Sequence, residues 1–144
     1  MVQLESLQAA KESGNYDDVI DQIPYAKLLG VVMREDSEGQ PIFELPFSDH
    51  NIGNVHLPAL HGGAIGGFLE NAALLHLVWA RESNDVPRTI DFSLDFLRSG
   101  KAQSLYARCD ITKQGKRVAN VRMTAWQEDE RKPIAVARAH FLLS

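Results

Sequence analysis

Between Gly62 and Ala80 the chain reads GGAIGGFLENAALLHLVWA, an apolar stretch interrupted by one charged side chain, Glu70. The stretch is too long for a strand. Its apolar residues (Ile65, Phe68, Leu69, Ala72, Leu75, Val78 and Trp79) fall on nearly every side of a helix. A helix with that pattern is buried rather than amphipathic, so the remaining elements have to be wrapped around it. The segments that follow can do the wrapping, because they alternate between apolar and polar residues. In TIDFSLDFL, residues 89–97, Ile90, Phe92, Leu94 and Phe96 take one side, and Thr89, Asp91, Ser93 and Asp95 take the other. Residues 103–113 alternate through Leu105, Ala107, Cys109 and Ile111, and Gln114-Gly115 then supplies a hairpin turn. Residues 116–127 and 133–143 complete the set. Clean alternation implies an antiparallel sheet with one buried face.

The first half is read in the same way. Leu4, Leu7 and Ala10 recur at helical spacing, and Gly14-Asn15 ends that helix. Asp17 to Ile23 forms a second short helix stopped by Pro24. Residues 27–34 (KLLGVVMR) read as a strand, Asp36 to Gly39 as a turn, and residues 41–47 as a strand with Phe43, Leu45 and Phe47 on one side. Residues 48–60 form a loop. The expected fold class is α+β, an antiparallel sheet of five to six strands curled around one long central helix. Residues 1–24 form a helical extension and residues 25–144 the single domain that a chain of 144 residues predicts.

Charge and composition exclude several classes. The net charge is −4 with both signs intermixed, which argues against nucleic acid as a partner. The lone Cys109 excludes an internal disulfide and a cysteine-rich zinc site, and makes the cytoplasm the default compartment. No apolar run is expected to reach bilayer-spanning length, and the N-terminus lacks the pattern of a signal peptide, so no membrane partner is expected.

Residues 61–70, His-Gly-Gly-Ala-Ile-Gly-Gly-Phe-Leu-Glu, concentrate the chemistry. A helix start presents unpaired N–H groups to a carbonyl oxygen or an anion, here those of Gly62 and Gly63. A carboxylate among apolar side chains is costly unless it is paired or used. Gly66 and Gly67 each cost about 1 kcal/mol relative to alanine inside a helix, which implies that another backbone packs closely there.

Taken together, His61-Gly62-Gly63, Glu70, Thr89 and the strand end Phe96-Leu97-Arg98 resemble the hotdog-fold acyl-CoA thioesterases, in particular the phenylacetate-pathway type. Gly115-Lys116-Arg117 looks like a further landmark of that family. The likeness covers roughly residues 27–143, and Ser99 departs from the proline usual in the family. The resemblance implies hydrolysis of an acyl-CoA thioester with no metal or redox cofactor, coenzyme A entering as part of the substrate. It also implies a homodimer or dimer of dimers with the site at the subunit interface. Glu70 would act as base or nucleophile and the amides of Gly62 and Gly63 as oxyanion donors. Thr89 matches the family's water-orienting hydroxyl, and its parity in the strand turns it away from its own helix. His61 is a candidate to orient the loop, cap the helix or touch substrate. The family's loop asparagine corresponds to Asn54 or Asn51. Asn71 and His56 stand near the site, and Arg98, Lys101, Lys116 and Arg117 are candidates for the phosphates of coenzyme A. Eight helical residues separate Gly62 from Glu70, about 12 Å along the axis, so Glu70 is expected to act on a thioester held at a partner's Gly62. Two rival readings belong to the same fold. One is a β-hydroxyacyl dehydratase or hydratase using His56 and Glu70. The other is a non-catalytic acyl-CoA-binding module.

Overall fold

A computed structural model describes residues 1–143. Three short helices, α1 (Leu4–Ser13), α2 (Asp17–Asp21) and α3 (Pro24–Leu29), lead into strands β1 (Val32–Glu35) and β2 (Pro41–Leu45). A 3-10 turn at Asp49–Asn51 and a small hairpin, β3 (Ile52–Asn54) and β4 (Ala59–Leu60), precede the central helix α4 (Gly62–Arg81). Strands β5 (Arg88–Phe96), β6 (Leu105–Gln114), β7 (Val118–Trp126) and β8 (Ala135–Leu142) follow. Six strands form one antiparallel sheet in the order β1-β2-β6-β7-β8-β5. The α+β architecture is therefore the one expected from the sequence.

The alternation accounts for the packing. Phe43 and Leu45 of β2, Leu105, Ala107 and Cys109 of β6, and Val121 and Met123 of β7 are buried. So are Ala135, Ala137, Ala139 and Phe141 of β8. Against them α4 sets Ile65, Phe68, Leu69, Leu75, Leu77 and Val78, all buried. The run of alanines on β8 leaves room for these bulky helix residues, each worth about 1.5–3 kcal/mol when fully buried. By length and composition α4 also meets the criterion for a bilayer-crossing helix, with 20 residues and a mean hydropathy of 1.2. This corrects the expectation that no run reaches that length. In this fold it is the core helix.

The structure differs from the sequence reading at three further points. Pro24 does not stop a helix; it opens α3 at its first position, where its missing N–H costs nothing. That helix runs to Leu29 and ends on Gly30 in the left-handed region, so the strand expected over 27–34 is only β1. Gly66 and Gly67 do not meet a backbone. A Cβ at Gly66 would lie 3.3 Å from Leu94 Cδ2, and one at Gly67 would lie 3.1 Å from Tyr25 Cε2.

The third difference lies in β5. Its register against β8 slips at Ile90: Thr89 pairs with Phe141, whereas Asp91 pairs with His140. A bulge of this kind inserts one residue and inverts the alternation on one side of it. Phe141 is fully buried, so Thr89 shares the helix-facing side of the sheet with Phe92 and Leu94. The expected outward parity of Thr89 is thus corrected.

The N-terminal helices are tied down by polar contacts. The Tyr16 hydroxyl donates to Glu35 Oε1 at 2.9 Å, and Trp79 Nε1 donates to the same oxygen at 3.4 Å. Burial, and then the Glu35 carboxylate, push the Tyr16 pKa up to about 12. Lys11 Nζ donates to the Trp79 carbonyl at 2.9 Å and to Glu82 at 2.8 Å.

Candidate active site

The small β3–β4 hairpin positions the start of α4. The His61 N–H donates to the Asn51 carbonyl at 2.6 Å. A side chain at Gly53 would put its Cβ 2.8 Å from His61 Cα, so β3 lies against His61 only because residue 53 has none. His61 is the N-cap of α4, and its Nδ1 accepts the Gly63 N–H at 2.9 Å. An accepting Nδ1 leaves the proton of the neutral ring on Nε2. The Gly63 amide is therefore engaged, and the Gly62 N–H alone is left without a partner among the described residues.

From that start α4 runs along β5 in the opposite direction. A Cβ at Gly62 would meet Phe96 Cζ at 3.0 Å, and one at Gly66 would meet Leu94 at 3.3 Å and Phe92 at 3.9 Å. Residues four apart lie one above another on a helix, so Gly62, Gly66 and Glu70 form one row. The two glycines bring α4 close to β5, and Glu70 is the next member of the row. Glu70 is half-buried, and no hydrogen bond or ion pair holds its carboxylate among the described residues. The half-buried Thr89, turned to the helix side by the bulge, opens the strand along which this row runs.

The other candidates separate into groups. Gly62 and Arg98 line one cleft of about 430 Å³, together with Leu60, Ile65, Phe96 and Leu97. Arg98 also donates to the Pro133 carbonyl. Lys101 donates to Glu128 at 3.4 Å near the same end of the sheet. Lys116 and Arg117 sit on the β6–β7 turn, where the Arg117 carbonyl accepts the Leu143 N–H. That turn is at the opposite end of β8 from Ala135, the partner of Phe96. Eight strand residues put the two basic groups roughly 26 Å apart within one chain. Asn54 is occupied as a turn residue, its Oδ1 accepting from the His56 and Leu57 N–H groups at 3.0 and 3.3 Å. Asn51, the alternative to Asn54, is only 9 % exposed and holds His61. Asn71 is buried, its Nδ2 donating to the Gly67 carbonyl within the helix at 2.8 Å. His56 is exposed in the β3–β4 turn, with no side-chain hydrogen bond among the described residues.

The remaining reactive groups lie elsewhere. His140 and Asp91 pair across the β5–β8 register at 2.7 Å, and His50 contacts Ser48. Cys109 is buried, and that burial raises its thiol pKa well above the ordinary range. Tyr25 was not among the sequence candidates, yet its ring lies on Gly67 one turn before Glu70. The helix-breaking cost of Gly67 was its only signal, and it was read as a backbone contact.

An antiparallel sheet wrapped on one long central helix that opens on His-Gly-Gly is the hotdog arrangement. Residues 51–142 match the family described as the acyl-CoA thioesterase N-terminal domain, and the chain belongs to that family. A protein of Chromobacterium violaceum is 51 % identical over 97 % of both chains, with a TM-score of 0.77. A phenylacetic acid degradation-related protein of Ralstonia eutropha shares the fold at 23 % identity and a TM-score of 0.74, over 96 % of this chain and 99 % of its own. A Bacillus halodurans protein solved with CoA does so at 21 % identity and a TM-score of 0.70, over 98 % of this chain and 88 % of its own. No curated protein matches the sequence.

Proposed function

We propose that the protein hydrolyses an acyl-CoA thioester to the free acid and coenzyme A at a site completed by a second copy of the chain. One observation carries this reading. Glu70, unpaired and half-buried, lies on the helix row that begins at Gly62, whose amide is also unpaired. The two groups are about 12 Å apart along the axis, too far to act on one carbonyl from the same chain.

A two-fold related copy removes that distance. Strand β5 is a nine-residue edge of the sheet, and apolar Ile90, Phe96 and Leu97 are exposed along it. An edge of that length presents unpaired backbone groups and favours pairing with another strand. Antiparallel pairing of β5 with the same strand of a copy puts the copy's Phe96 end beside this chain's Arg88 end. The helix start lies at the Phe96 end, and Glu70 sits two turns nearer the other. Each carboxylate then meets the partner's Gly62 amide. The same pairing brings Arg98 of one chain toward Lys116 and Arg117 of the other, giving the phosphates of coenzyme A a basic mouth. A bound CoA in the Bacillus halodurans structure supports this class of ligand.

In the reaction the Gly62 N–H donates to the thioester oxygen and stabilises the negative charge developing there, helped by the helix start. Glu70 takes a proton from water, whose oxygen adds to the carbonyl carbon, or its carboxylate adds directly. The C–S bond then breaks and the thiolate of coenzyme A leaves with the electron pair; in the first case it takes back the proton held by Glu70, and in the second a water hydrolyses the Glu70–acyl anhydride to the free acid and restores the carboxylate. Thr89, on the helix side of β5, can hold the attacking water. His61 keeps the loop and the first turn in place.

The test is release of free thiol from acyl-CoA esters by wild type and Glu70→Gln. Removing a general base lowers kcat about 10²- to 10⁴-fold. A Glu70→Gln protein with wild-type kcat would overturn the role of Glu70, whereas tight acyl-CoA binding without turnover, unaffected by that substitution, would favour a binding module. A product absorbing as a 2-enoyl thioester, lost in His56→Ala, would instead support the dehydratase.

A further inference from the structure

Arg122 of β7 and Arg138 of β8 stand directly opposite each other in the antiparallel register. Their sequence neighbours Val121, Met123, Ala137 and Ala139 are buried on the helix side, so both arginines are exposed on the outer face of the sheet. Like charges directly opposite across a strand pair are destabilising. Neither guanidinium has a hydrogen bond or an ion pair among the described residues, although Asp110 of β6 is the register partner of Arg122. Arg108 on the outer side of β6 shows the contrast. Asp36 holds it at 2.6 Å and Glu130 at 3.0 Å, so this chain pairs one outer guanidinium and leaves two facing each other.

The two unpaired arginines line a cleft of about 660 Å³ together with Ser93, Asp95, Asn120 and His140. That volume lies in the range that holds a small organic ligand. Ser93 is opposite Arg138 on β5, and Asn120 precedes Arg122 by two residues on β7, so a hydroxyl and an amide flank the guanidinium pair. His140 is committed to Asp91, whose Oδ1 lies 2.7 Å from its Nδ1 and 3.2 Å from its backbone nitrogen. Asp95 also lines the cleft, and its carboxylate is unpaired among the described residues. Its register partner is Val136, which makes it the diagonal neighbour of Arg138, roughly 7–8 Å away. Two cations at one end and an acceptor-only group at the other favour a ligand with an anionic head and a hydrogen-bond donor some distance from it.

We propose that this cleft binds a phosphorylated sugar, its phosphate between Arg122 and Arg138 and a sugar hydroxyl donating to Asp95. Guanidinium forks match phosphate oxygens in pairs, and a dianion between two arginines offsets the repulsion they exert on each other. A second copy of the chain stacked on this face fits less well. Ser93, Asn120, Thr124 and the charged groups surround the pair, whereas the core of a protein interface is depleted of charge. The cleft lies across the sheet from α4 and Glu70, so the proposal does not depend on the thioester chemistry.

The experiment is isothermal titration of the full chain with ribose 5-phosphate, AMP, inorganic phosphate and ribose. The proteins are wild type, Arg122→Gln, Arg138→Gln, Asp95→Ala and the double variant Lys116→Gln/Arg117→Gln, each checked for a wild-type melting temperature. Charge-assisted hydrogen bonds of this kind are worth about tenfold or more in affinity. Either arginine substitution should therefore weaken ribose 5-phosphate at least tenfold, and ribose alone should not bind. Asp95→Ala should weaken ribose 5-phosphate and tighten inorganic phosphate, because it removes the hydroxyl's acceptor and also a negative charge. The Lys116→Gln/Arg117→Gln protein should bind as wild type does. AMP tighter than ribose 5-phosphate would identify a nucleotide as the source of the group, and AMP equal or weaker a free sugar phosphate; both uphold the site. Binding that survives Arg122→Gln and Arg138→Gln but is lost with Lys116 and Arg117 would overturn the proposal and place the phosphate at the coenzyme A mouth. Wild type that binds none of the phosphates would overturn it as well, and a fall in oligomer mass in the arginine variants would then assign this face to a second copy.

Discussion

Glu70 and His76 are the titratable side chains within the apolar run of α4, and their surroundings give them opposite roles. Glu70 is half-buried and unpaired at the row facing β5. His76 is 7 % exposed between the rings of Phe43 and Trp79, and its Nδ1 has no hydrogen-bond partner among the described residues. Burial lowers its pKa to about 4, despite the opposing pull of Asp110. An unfolded histidine takes up its proton near pH 6.5. Between those two values the unfolded chain binds more protons than the folded one, so stability falls as the pH falls. Above pH 6.5 neither state is charged at this residue and its effect is absent. The displacement corresponds to a loss of about 3 kcal/mol, complete near pH 4. His76→Leu should therefore narrow the gap between urea midpoints measured at pH 7.5 and pH 4.5. An unchanged gap would assign the acid sensitivity to surface carboxylates such as Asp36 and Asp91, whose pKa values hydrogen bonds also lower.

At the scale of elements, the β3–β4 hairpin is the support of the site, and Gly53 is where it touches. A methyl group there would sit 2.8 Å from His61 Cα, which is backbone and cannot swing aside. Gly53→Ala should cost about 1–3 kcal/mol by overpacking, and it should lower kcat because the displaced His61 no longer holds the first turn of α4. Denaturation and thiol-release assays on the same preparation check both effects, and a variant with normal stability and turnover would remove the hairpin's supporting role. This contact also shows where the sequence was and was not readable. The central helix and strands β6 to β8 were legible because a repeat of 3.6 or 2 residues is a local signal. The α3 segment was not, because Leu28, Leu29, Val31 and Val32 make an apolar run too short to reveal a period. The bulge at Ile90 was also hidden, since no glycine marks it and the letters alternate straight through it. In the site, Gly62 and Glu70 were identifiable as types at a spacing. That His61 occupies the Gly63 amide, and that Tyr25 lies on Gly67, depends on how the chain folds back, which no spacing encodes.

For the whole molecule, the decisive property is that α4 and β5 run in opposite directions along one exposed edge. A single chain then holds the two halves of the proposed site about 12 Å apart, and a two-fold axis through β5 rejoins them in pairs. Two inactive proteins should therefore complement each other. Glu70→Gln removes the carboxylate. Gly62→Pro removes the amide while keeping the helix, because proline is accepted at the first helical position and His61 already has the extended conformation that precedes proline (φ −66°, ψ 130°). Each homodimer contains two broken sites. A mixed dimer contains one site with both defects and one with neither. Equal mixing and reassembly give about half mixed dimers, each with one working site of two, so activity should return to about a quarter of wild type. The mixture is read by thiol release, and mixed dimers isolated through separate tags on the two chains should show about half of wild-type activity. If tagged mixed dimers form and remain inactive, the carboxylate and the amide do not meet across the axis, and the site would have to be rebuilt within one chain.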